Sequence, residues 1–520
     1  MSMNPFAEFA GVTDPLDRRL RQWRRADLAW MLGIVVAALA ARLLHIARQP
    51  LWLDEVFTYQ RVHMDAASLV ADSLANRHVP GYFLLLRWLV PPDAADAALR
   101  VPSALFGAMA AGAAFVVAWR ICGRRAACFA GWLMVLAPLQ VQYGQEARSY
   151  TLMVLLITVA LGGLVQLAEQ VDGPAAPQAV RRGWAAYVLG TLGALLVLGD
   201  AAPWLLASNA GLFLIWRRLR QNGVERVHTT FALHWLLGQL FILACCMPFY
   251  IAMAAASTGK VLTNFQWVPA LSWHQLWVVT ASGYLMRAAT VVKPGLLPTA
   301  FGLLGLLVLL LSCAGAWRLR GRLAGQMLLL SFAMLPVLLL LISPIQSLLV
   351  PRYILWSAAP FMVLAGVGAA MLPRWSYRLT ITALLVLGSF NLLPVYRREV
   401  KPRWDLAAAT LSADTESGDT IYTLDPNAPV MIRKLQPKGQ SLDQRVLITN
   451  DLAIAAARWK QGSRVWAITG RVGLGIRVPL ADFEAHMSAL GQPALTLAEG
   501  NEITILMFSA QSEAERAQAP

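Results

Sequence analysis

The chain has 520 residues, of which 58% are hydrophobic and only 14% charged. Soluble proteins carry about 25% charged residues, and so apolar a chain lacks the polar side chains that a water-facing surface requires. The composition therefore excludes an ordinary soluble protein and predicts a polytopic membrane protein. The formal charge of +15 would suggest nucleic-acid binding in a soluble protein, but here its meaning depends on where the charges fall.

Apolar runs long enough to cross a bilayer recur along the chain. A spanning helix needs about 20 apolar residues, and the first run lacks a small-residue cleavage pattern, which predicts a signal anchor. Two short runs predict a tight helical hairpin around Asp200 and Pro203. We predict eleven spans, at 27–48, 99–119, 126–142, 150–168, 184–199, 203–216, 230–254, 296–317, 326–343, 353–371 and 378–395.

The apolar segment 79–91 is too short to be a span. Its 13 residues would reach only about 20 Å as a helix, against roughly 30 Å of hydrocarbon, and it contains Arg87. We predict an interfacial or re-entrant helix. Without it in the span count, every short arginine-rich connector falls on one face, which the positive-inside rule assigns to the cytoplasm. These connectors contain Arg18, Arg19, Arg21, Arg24, Arg25, Arg120, Arg124, Arg125, Arg181, Arg182, Arg217, Arg218, Arg220, Arg226, Arg318, Arg320, Arg322, Arg374 and Arg378.

The charge distribution follows this topology, with the N-terminus inside and the C-terminus outside. We divide the chain into a cytoplasmic N-terminal segment (1–26), a transmembrane domain (27–395) and an external domain (396–520). Residues 396–520 hold 14 basic and 14 acidic side chains, so the whole positive excess lies in the first 395 residues. Because most of that excess sits in the predicted cytoplasmic connectors, we expect no nucleic-acid partner.

Two of the predicted external loops are long, 49–98 and 255–295, which is unusual for connectors and more often functional. The second contains Trp267, Trp273 and Trp277. These tryptophans are typical of interfacial anchors, and the alternative interpretation is a lid over a lipid-linked substrate.

Residues 396–520 predict a small α/β domain. Strand-like runs alternate there with helical stretches and turn signals. The predicted strands lie at about 419–424, 445–449, 464–469 and 502–508, and the predicted helices at 403–416, 451–460 and 481–490.

Two adjacent carboxylates, Asp54 and Glu55, follow the first span in PLWLDEVFTYQ. Such a pair can act as a general base or bind a metal, although acids also favour the first turn of any helix. Arg42 lies inside the first span, where a charge is costly and either serves function or snorkels to the interface.

Further polar residues cluster at the outer ends of other spans. His78 and Tyr82 lie at the start of the short 79–91 helix, where an interfacial hydrogen bond is the simpler explanation for His78. The turn QEARSY carries Glu146 and Arg148 between two apolar helices, and VPRYILWSAAP opens the tenth span with Arg352 and Tyr353, a pair that also suits an interfacial anchor. Acids and cations at these positions suit a lipid phosphate, because arginine binds phosphate oxygens through paired hydrogen bonds.

An ordered set of motifs resembles the GT-C membrane glycosyltransferases, in the branch of bacterial relatives of protein O-mannosyltransferases and the lipid A aminoarabinose transferase. The matching pieces follow an arginine late in the first span and cover about residues 27 to 425. They are LWLDE, HVPGYFLLL, ALRVPSALFG, QEARSY, VPRYILWSAAP and KPRWDLAAATLSADTESGDTIY.

The resemblance implies an all-α polytopic GT-C-like fold and an enzyme of the bacterial inner membrane. Such an enzyme transfers a hexose or pentose from a polyprenyl-phosphate donor, undecaprenyl phosphate in a bacterium, to a hydroxyl on the external face, with inversion. The acceptor class stays open between lipid A, a polysaccharide and a protein, and membrane lipids are the remaining expected partners.

The resemblance also implies residue roles. Asp54 is the expected catalytic carboxylate, with Glu55 beside it. No cofactor is required, and a divalent metal is possible but not indicated, since no Asp-x-Asp motif lies on the predicted external face. The His-Val-Pro-Gly run that begins at His78 departs from the double proline of many relatives. The expected donor-binding residues are Arg148, Arg352, Tyr353, His78, Glu146, Tyr82, Arg42 and Lys293.

Two functions of other classes use the same residues. A lipid-linked-sugar transporter or flippase would bind the same head group without chemistry, although the sequence lacks the internal symmetry common in transporters. A non-catalytic subunit of an envelope polysaccharide complex would bind through its external domain.

Overall fold

The structure, a computed structural model, divides into two compact units. Unit 1 joins the described residues of Met1–Ile46 and Val62–Arg397, and unit 2 joins those of Ala47–Arg61 and Arg398–Pro520. The segment with Asp54 and Glu55 thus groups with the C-terminal residues. The structure describes residues 23–171, 176–223, 225–256, 268–287, 296–397, 401–437, 439, 441–472, 478–499 and 502–509.

Unit 1 is built from helices. Short 3₁₀ helices also occur, at Asp96–Arg100, Gly199–Ala201 and Pro351–Ser357. Helix α2 (Leu53–His63) begins in unit 2 and ends in unit 1. The other α-helices are α1 (Arg25–Leu43), α3 (Ala66–Ala75), α4 (Gly81–Leu89), α5 (Val101–Cys122), α6 (Arg124–Leu136), α7 (Pro138–Gly144), α8 (Tyr150–Glu169), α9 (Pro177–Val197), α10 (Ala202–Gln221), α11 (Glu225–Ala255), α12 (Trp273–Tyr284), α13 (Leu296–Leu319), α14 (Leu323–Ile342), α15 (Ala358–Ala370) and α16 (Arg374–Arg397).

The apolar helices of unit 1 make the chain a multi-pass membrane protein. Among the described residues, eight helices are long and apolar enough to cross a membrane. A ninth span results if α6 and α7, which bend by 59° where Pro138 begins α7, count as one.

The predicted count of eleven spans is not confirmed. The two remaining predicted spans, 184–199 and 203–216, lie in α9 and α10, which are helical but are not among the candidate spans. Each helix contains arginines near the end that is farther from Asp200 in the sequence. They are Arg181 and Arg182 in α9, and Arg217, Arg218 and Arg220 in α10.

The segment 79–91 forms the short helix α4, as its length predicts. Its nine residues begin directly after Pro80, which fits the preference of proline for helix starts. Tyr82, Phe83 and Leu86 are buried, whereas Trp88 on the other face is 82% exposed. The helix is therefore amphipathic, and its position at the membrane surface stays a prediction.

Helices α5, α8 and α15 form the interior of unit 1. Across Pro351–Ala370, which joins the 3₁₀ helix Pro351–Ser357 to α15, 94% of the most apolar stretch is buried, against 11% in α11. Small residues let these helices approach closely. A side chain on Gly315 of α13 would collide with the carbonyl of Leu364, and one on Gly368 of α15 would collide with that of Leu311, so this pair of glycines fixes the contact between α13 and α15.

Unit 2 contains a mixed five-stranded sheet with the order β2-β1-β3-β5-β4. Strand β1 pairs in parallel with β2 and β3, and β5 pairs antiparallel with β3 and β4. The strands are β1 (Thr420–Thr423), β2 (Leu447–Thr449), β3 (Val465–Gly470), β4 (Leu495–Glu499) and β5 (Ile503–Phe508), and the helices are α17 (Trp404–Asp414), α18 (Ala428–Leu435), α19 (Leu452–Lys460) and α20 (Leu480–His486), with 3₁₀ turns at Leu442–Gln444 and Ser488–Leu490.

All residues of β1 and almost all of β3 are buried, so both faces of the sheet are covered. One face packs on a cluster that includes Tyr422, Ala467, Phe483 and Phe508. The four predicted strands and three predicted helices are present in the structure. Strand β4 and helix α18 were not predicted, because β4 is a short edge strand and α18 starts after the turn residues Asp425 and Asn427.

We expect Gly315→Ala to lower the thermal unfolding midpoint of the detergent-solubilised protein, because the added methyl group meets a backbone carbonyl that cannot move away. The expected cost is about 1–3 kcal/mol, as for overpacked cores. Gly302→Ala in the same helix is the control, since its methyl group meets no atom within 4 Å. Equal midpoints for the two variants would contradict the packing of α13 on α15.

Candidate functional site

A buried turn between α7 and α8 carries Glu146 and Arg148, which are 4% and 6% exposed. The Ser103 hydroxyl of α5 donates to the carbonyl of Arg148 at 3.0 Å, and Tyr82 lies 2.9 Å from the same hydroxyl. Because the single proton of Ser103 goes to Arg148, Tyr82 is the donor to Ser103. Thr151 completes the arrangement by donating to the Ser103 carbonyl at 2.9 Å. Tyr82 of α4 and Ser103 of α5 therefore hold the backbone of Arg148 through a chain of two hydrogen bonds.

Arg352 lies on the 3₁₀ helix Pro351–Ser357, which is held by tryptophan and tyrosine contacts. The indole N–H of Trp356 donates to the carbonyl of Asp200 at 3.3 Å, and the Trp356 ring packs edge-on against Trp204. Tyr284 lies 2.6 Å from the Ser357 hydroxyl. The guanidinium of Arg352 lies 5.2 Å from the ring centroid of Tyr353 and is 9% exposed.

Asp200 brings an acid to these two arginines. Burial raises the pKa of Asp200 to about 6, and the positive charges of Arg352 and Arg148 oppose part of that rise. The three charged groups therefore interact within unit 1, although they come from three separate places in the sequence. Guanidinium groups are the cations that bind an anion such as a phosphate through paired hydrogen bonds.

The two predicted catalytic carboxylates lie in the first turn of α2, in unit 2, and have different surroundings. Glu55 is fully buried, and its Oε2 lies 2.7 Å from Nζ of Lys401. Asp54 is half-buried, and its backbone carbonyl accepts from Thr58 at 2.9 Å. Adjacent helical residues point about 100° apart, so the two carboxylates face different neighbours. Asp54 is the one with side-chain exposure to solvent.

Arg42 is fully buried and contacts backbone carbonyl groups. Its guanidinium donates to the carbonyls of Ala38 at 3.0 Å and Met134 at 3.2 Å. A methyl group on Gly144 would lie 2.7 Å from Cδ of Arg42, so the side chain runs against a glycine of α7. These contacts satisfy a charge in an apolar bundle, and the predicted role of Arg42 in donor binding stays a prediction.

His78 is positioned by a helix stop. Its N–H donates to the carbonyl of Ser73 at 2.8 Å, and Arg77 adopts a left-handed φ of 61°. Together these form the hydrogen-bond pattern that often ends a helix, here α3. The imidazole of His78 packs edge-on against Phe83 at 6.0 Å. The predicted contact of His78 with a donor head group stays a prediction.

Part of the second long loop is described. Trp273 and Trp277 lie one turn apart on α12 and are 87% and 51% exposed. This exposed aromatic face fits both an interfacial anchor and a lid. Trp267 and Lys293 lie outside the described residues.

No group of three or more histidine, cysteine or acidic side chains suited to a metal ion occurs within the part of the chain that the structure describes. Only folding brings Asp200 near Arg148 and Arg352. Only folding brings Lys401 to Glu55. The sequence signals were present but weak: Asp200 is an acid between two apolar helices, and Lys401 opens the KPRWDL motif.

Comparison with solved structures decides the fold. ArnT from Cupriavidus metallidurans in the apo state matches 93% of this chain and 99% of its own, with a TM-score of 0.56 and 14% sequence identity. The chain has the GT-C fold. The same ArnT bound to undecaprenyl phosphate covers 93% of this chain and 98% of its own, with a TM-score of 0.53 and 16% identity.

A more distant GT-C structure matches less well. The archaeal oligosaccharyltransferase AglB from Archaeoglobus fulgidus, in complex with an inhibitory peptide and a dolichol-phosphate, covers 85% of this chain and 69% of its own. The TM-score is 0.50 and the identity 10%. No protein-family model matches the sequence, and no curated protein matches it significantly. The GT-C fold therefore rests on the three-dimensional comparison.

We expect the pH dependence of stability to report on Asp200. Between its ordinary pKa of 3.8 and its raised value of about 6, the folded state keeps a proton that the unfolded state releases. The free energy of unfolding therefore falls as the pH rises through this window. Asp200→Asn removes the effect, so the unfolding midpoint of the variant should rise relative to that of wild type as the pH increases from 4 to 7.

The measurement is the unfolding midpoint of both proteins across that pH range. Asp93→Asn is the control, because Asp93 is exposed and its replacement should shift the midpoint equally at every pH. A wild-type advantage that grows with pH would show that Asp200 is ionised more easily in the folded chain than in the unfolded one.

Proposed function

We propose that the chain is a membrane glycosyltransferase that moves a sugar from a polyprenyl-phosphate donor to a hydroxyl acceptor. The observation that carries this proposal is the match of the GT-C fold over 93% of the chain to ArnT, including ArnT bound to undecaprenyl phosphate. Two features support it, each within its own unit: two buried arginines, Arg148 and Arg352, in unit 1, and an acidic first turn of α2 in unit 2. Fold alone does not define chemistry, so these side chains supply the rest of the argument.

In this proposal Asp54 is the catalytic base. Glu55 is fully buried and paired with Lys401, so its charge is already neutralised. Asp54 lies at the second position of α2 and retains exposure to solvent. A partly exposed carboxylate can accept the proton of an incoming hydroxyl.

The reaction is a single displacement at the anomeric carbon. The acceptor oxygen forms a bond to C1 while the bond from C1 to the phosphate oxygen breaks, and the acceptor proton passes to Asp54. The electron pair of the broken bond leaves with the lipid phosphate. Attack from the face opposite the phosphate inverts the anomeric centre, through a transition state with oxocarbenium character.

Arg148 and Arg352 bind the phosphate in this proposal. The backbone near each arginine is held by a separate hydrogen-bonded turn, one tied to Ser103 and the other to Asp200 through Trp356. Preorganised cations stabilise the charge that develops on a leaving phosphate. Tyr353, whose ring lies beside the guanidinium of Arg352, and Glu146 also belong to the proposed donor site. The donor carries a single phosphate group, a diester that leaves as a lipid phosphate monoester, and two arginines suffice for its charge, so we propose that no metal is needed.

The setting proposed is the inner membrane of a bacterium, with the N-terminus in the cytoplasm and residues 396–520 in the periplasm. The donor is undecaprenyl phosphate carrying a hexose or pentose. The acceptor hydroxyl belongs to lipid A, an envelope polysaccharide or a protein.

We expect Asp54→Asn to reduce sugar transfer by about 10²–10⁴-fold, the usual contribution of a general base. The assay uses protein reconstituted in vesicles with labelled undecaprenyl-phosphate pentose and hexose, and lipid A, envelope polysaccharide and protein as acceptors. Asp93→Asn, an exposed acid in the same predicted loop, is the matched control and should keep wild-type activity.

Two outcomes of this experiment overturn the proposal. Transfer by Asp54→Asn at the wild-type rate would remove Asp54 from the mechanism. Movement of labelled donor across the vesicle membrane by wild type, with no transfer to any acceptor, would identify a lipid-linked-sugar transporter.

We expect Arg148→Gln and Arg352→Gln each to raise the KM for donor by about 10-fold or more, because a hydrogen bond to a charged group contributes about 1.5–3 kcal/mol. Steady-state titration of donor at fixed acceptor measures the change. Arg378→Gln replaces an exposed arginine near the start of α16 and should leave the KM unchanged. Unaltered donor affinity in both site variants would place phosphate binding elsewhere.

A further inference from the structure

Lys401 contacts the start of α2 twice. Its Nζ lies 2.7 Å from Oε2 of Glu55, and its backbone N–H donates to the side-chain oxygen of Gln49 at 3.2 Å. The side chain of Glu55 is 0% exposed and that of Lys401 is 10% exposed. All three residues belong to unit 2. The pair is therefore a nearly dry ion pair between residues far apart in sequence.

Glu55 also caps the helix that carries Asp54. Helix α2 starts at Leu53, and the backbone N–H of Trp52 donates to Oε2 of Glu55 at 3.4 Å. A glutamate at the third helical position that accepts from the residue before the helix is one half of a capping box. The same carboxylate oxygen thus receives the helix start and the Lys401 ammonium, so the position of Lys401 sets the position of the first turn.

A second lysine of unit 2 contacts the next turn of α2. Nζ of Lys434, on α18, lies 3.6 Å from the ring centroid of Tyr59, a distance at which a cation is attracted to the face of the ring. Tyr59 follows Glu55 by four residues, so both lie on the same face of α2. Two lysines from the C-terminal part of the chain therefore hold one face of this helix, and Asp54 lies on an adjacent face.

We infer that Lys401 is a positioning residue for the reaction: by pairing with Glu55 it holds the first turn of α2 in the orientation that Asp54 needs, with Lys434 supporting the second turn. This inference rests on the proposed function for its catalytic part. It gives the C-terminal part of the chain a role in positioning the base, because Lys401 lies in that part. Glu55 then serves as a link between Lys401 and Asp54 and does not take the proton itself.

Three variants test the link by a double-mutant cycle. Lys401→Met leaves Glu55 buried without its ammonium partner, which strongly disfavours the charged carboxylate, and we expect kcat to fall at least 10-fold with the KM for donor within 2-fold. Glu55→Gln keeps an oxygen for the Trp52 N–H. In the Glu55→Gln background, Lys401→Met should lower kcat by less than 3-fold, because no buried charge is then left unpaired.

Lys401→Arg is the conservative variant and should keep kcat within about 3-fold of wild type, since arginine can still pair with Glu55. Lys460→Met is the matched control, because Lys460 is an exposed lysine at the end of α19 in the same unit. Circular dichroism and the unfolding midpoint of each variant show whether it folds.

Hydrogen exchange gives a readout that does not depend on activity. In wild-type protein without substrate, the amides of residues 54–59 should exchange at least 10-fold more slowly than in Lys401→Met, and at the same rate as in Lys460→Met. Equal exchange in wild type and Lys401→Met overturns the inference, as does an equal effect of Lys401→Met on kcat in the wild-type and Glu55→Gln backgrounds. Slower exchange in wild type, together with no sugar transfer by wild type, overturns the proposed function and leaves the support of α2 by Lys401 in place.

Discussion

The cost of burying a charge among apolar helices is the constraint on which this structure depends. An ionised group without partners is very expensive in such surroundings, so each buried charge needs a fixed arrangement of neighbours. Arg42 donates to two backbone carbonyls, Asp200 interacts with Arg148 and Arg352, and Glu55 pairs with Lys401. Each arrangement joins residues that are distant in sequence, so satisfying the charge also fixes the helices.

The buried charges of unit 1 serve two purposes. Arg42 has no exposed surface, and its contacts tie α1 to α6. Arg148 and Arg352 keep slight exposure and share an acid with a raised pKa. The acid reduces the repulsion between the two arginines, and both arginines can still bind an anion. The difference between the two cases lies in what interacts with the guanidinium: backbone carbonyl groups for Arg42, and the carboxyl group of Asp200 for Arg148 and Arg352.

Residues 47–61 group with the C-terminal part of the chain in unit 2. Its sheet supplies a rigid core around Phe483 and Phe508, and lysines placed before α17 and on α18 contact the helix that carries Asp54. A loop of a membrane protein gains order when a folded domain packs against it. This explains why two carboxylates next to each other in sequence have such different surroundings.

The sequence by itself determined the membrane class, most of the apolar helices, the short helix at 79–91 and the strands of the C-terminal sheet, because these follow from local composition and periodicity. It also located Asp54, Arg148 and Arg352 at helix ends, where polar residues interrupt apolar runs. The eleven spans counted from the sequence are not confirmed, since α9 and α10 are helical but are not among the candidate spans of the described residues. Only the tertiary structure decided that Arg42 is enclosed, that Asp200 meets the two arginines, and that Lys401 neutralises Glu55 and distinguishes it from Asp54. Those relations depend on contacts across up to 346 residues of chain, and an isolated sequence carries no signal for which distant charges will be buried together.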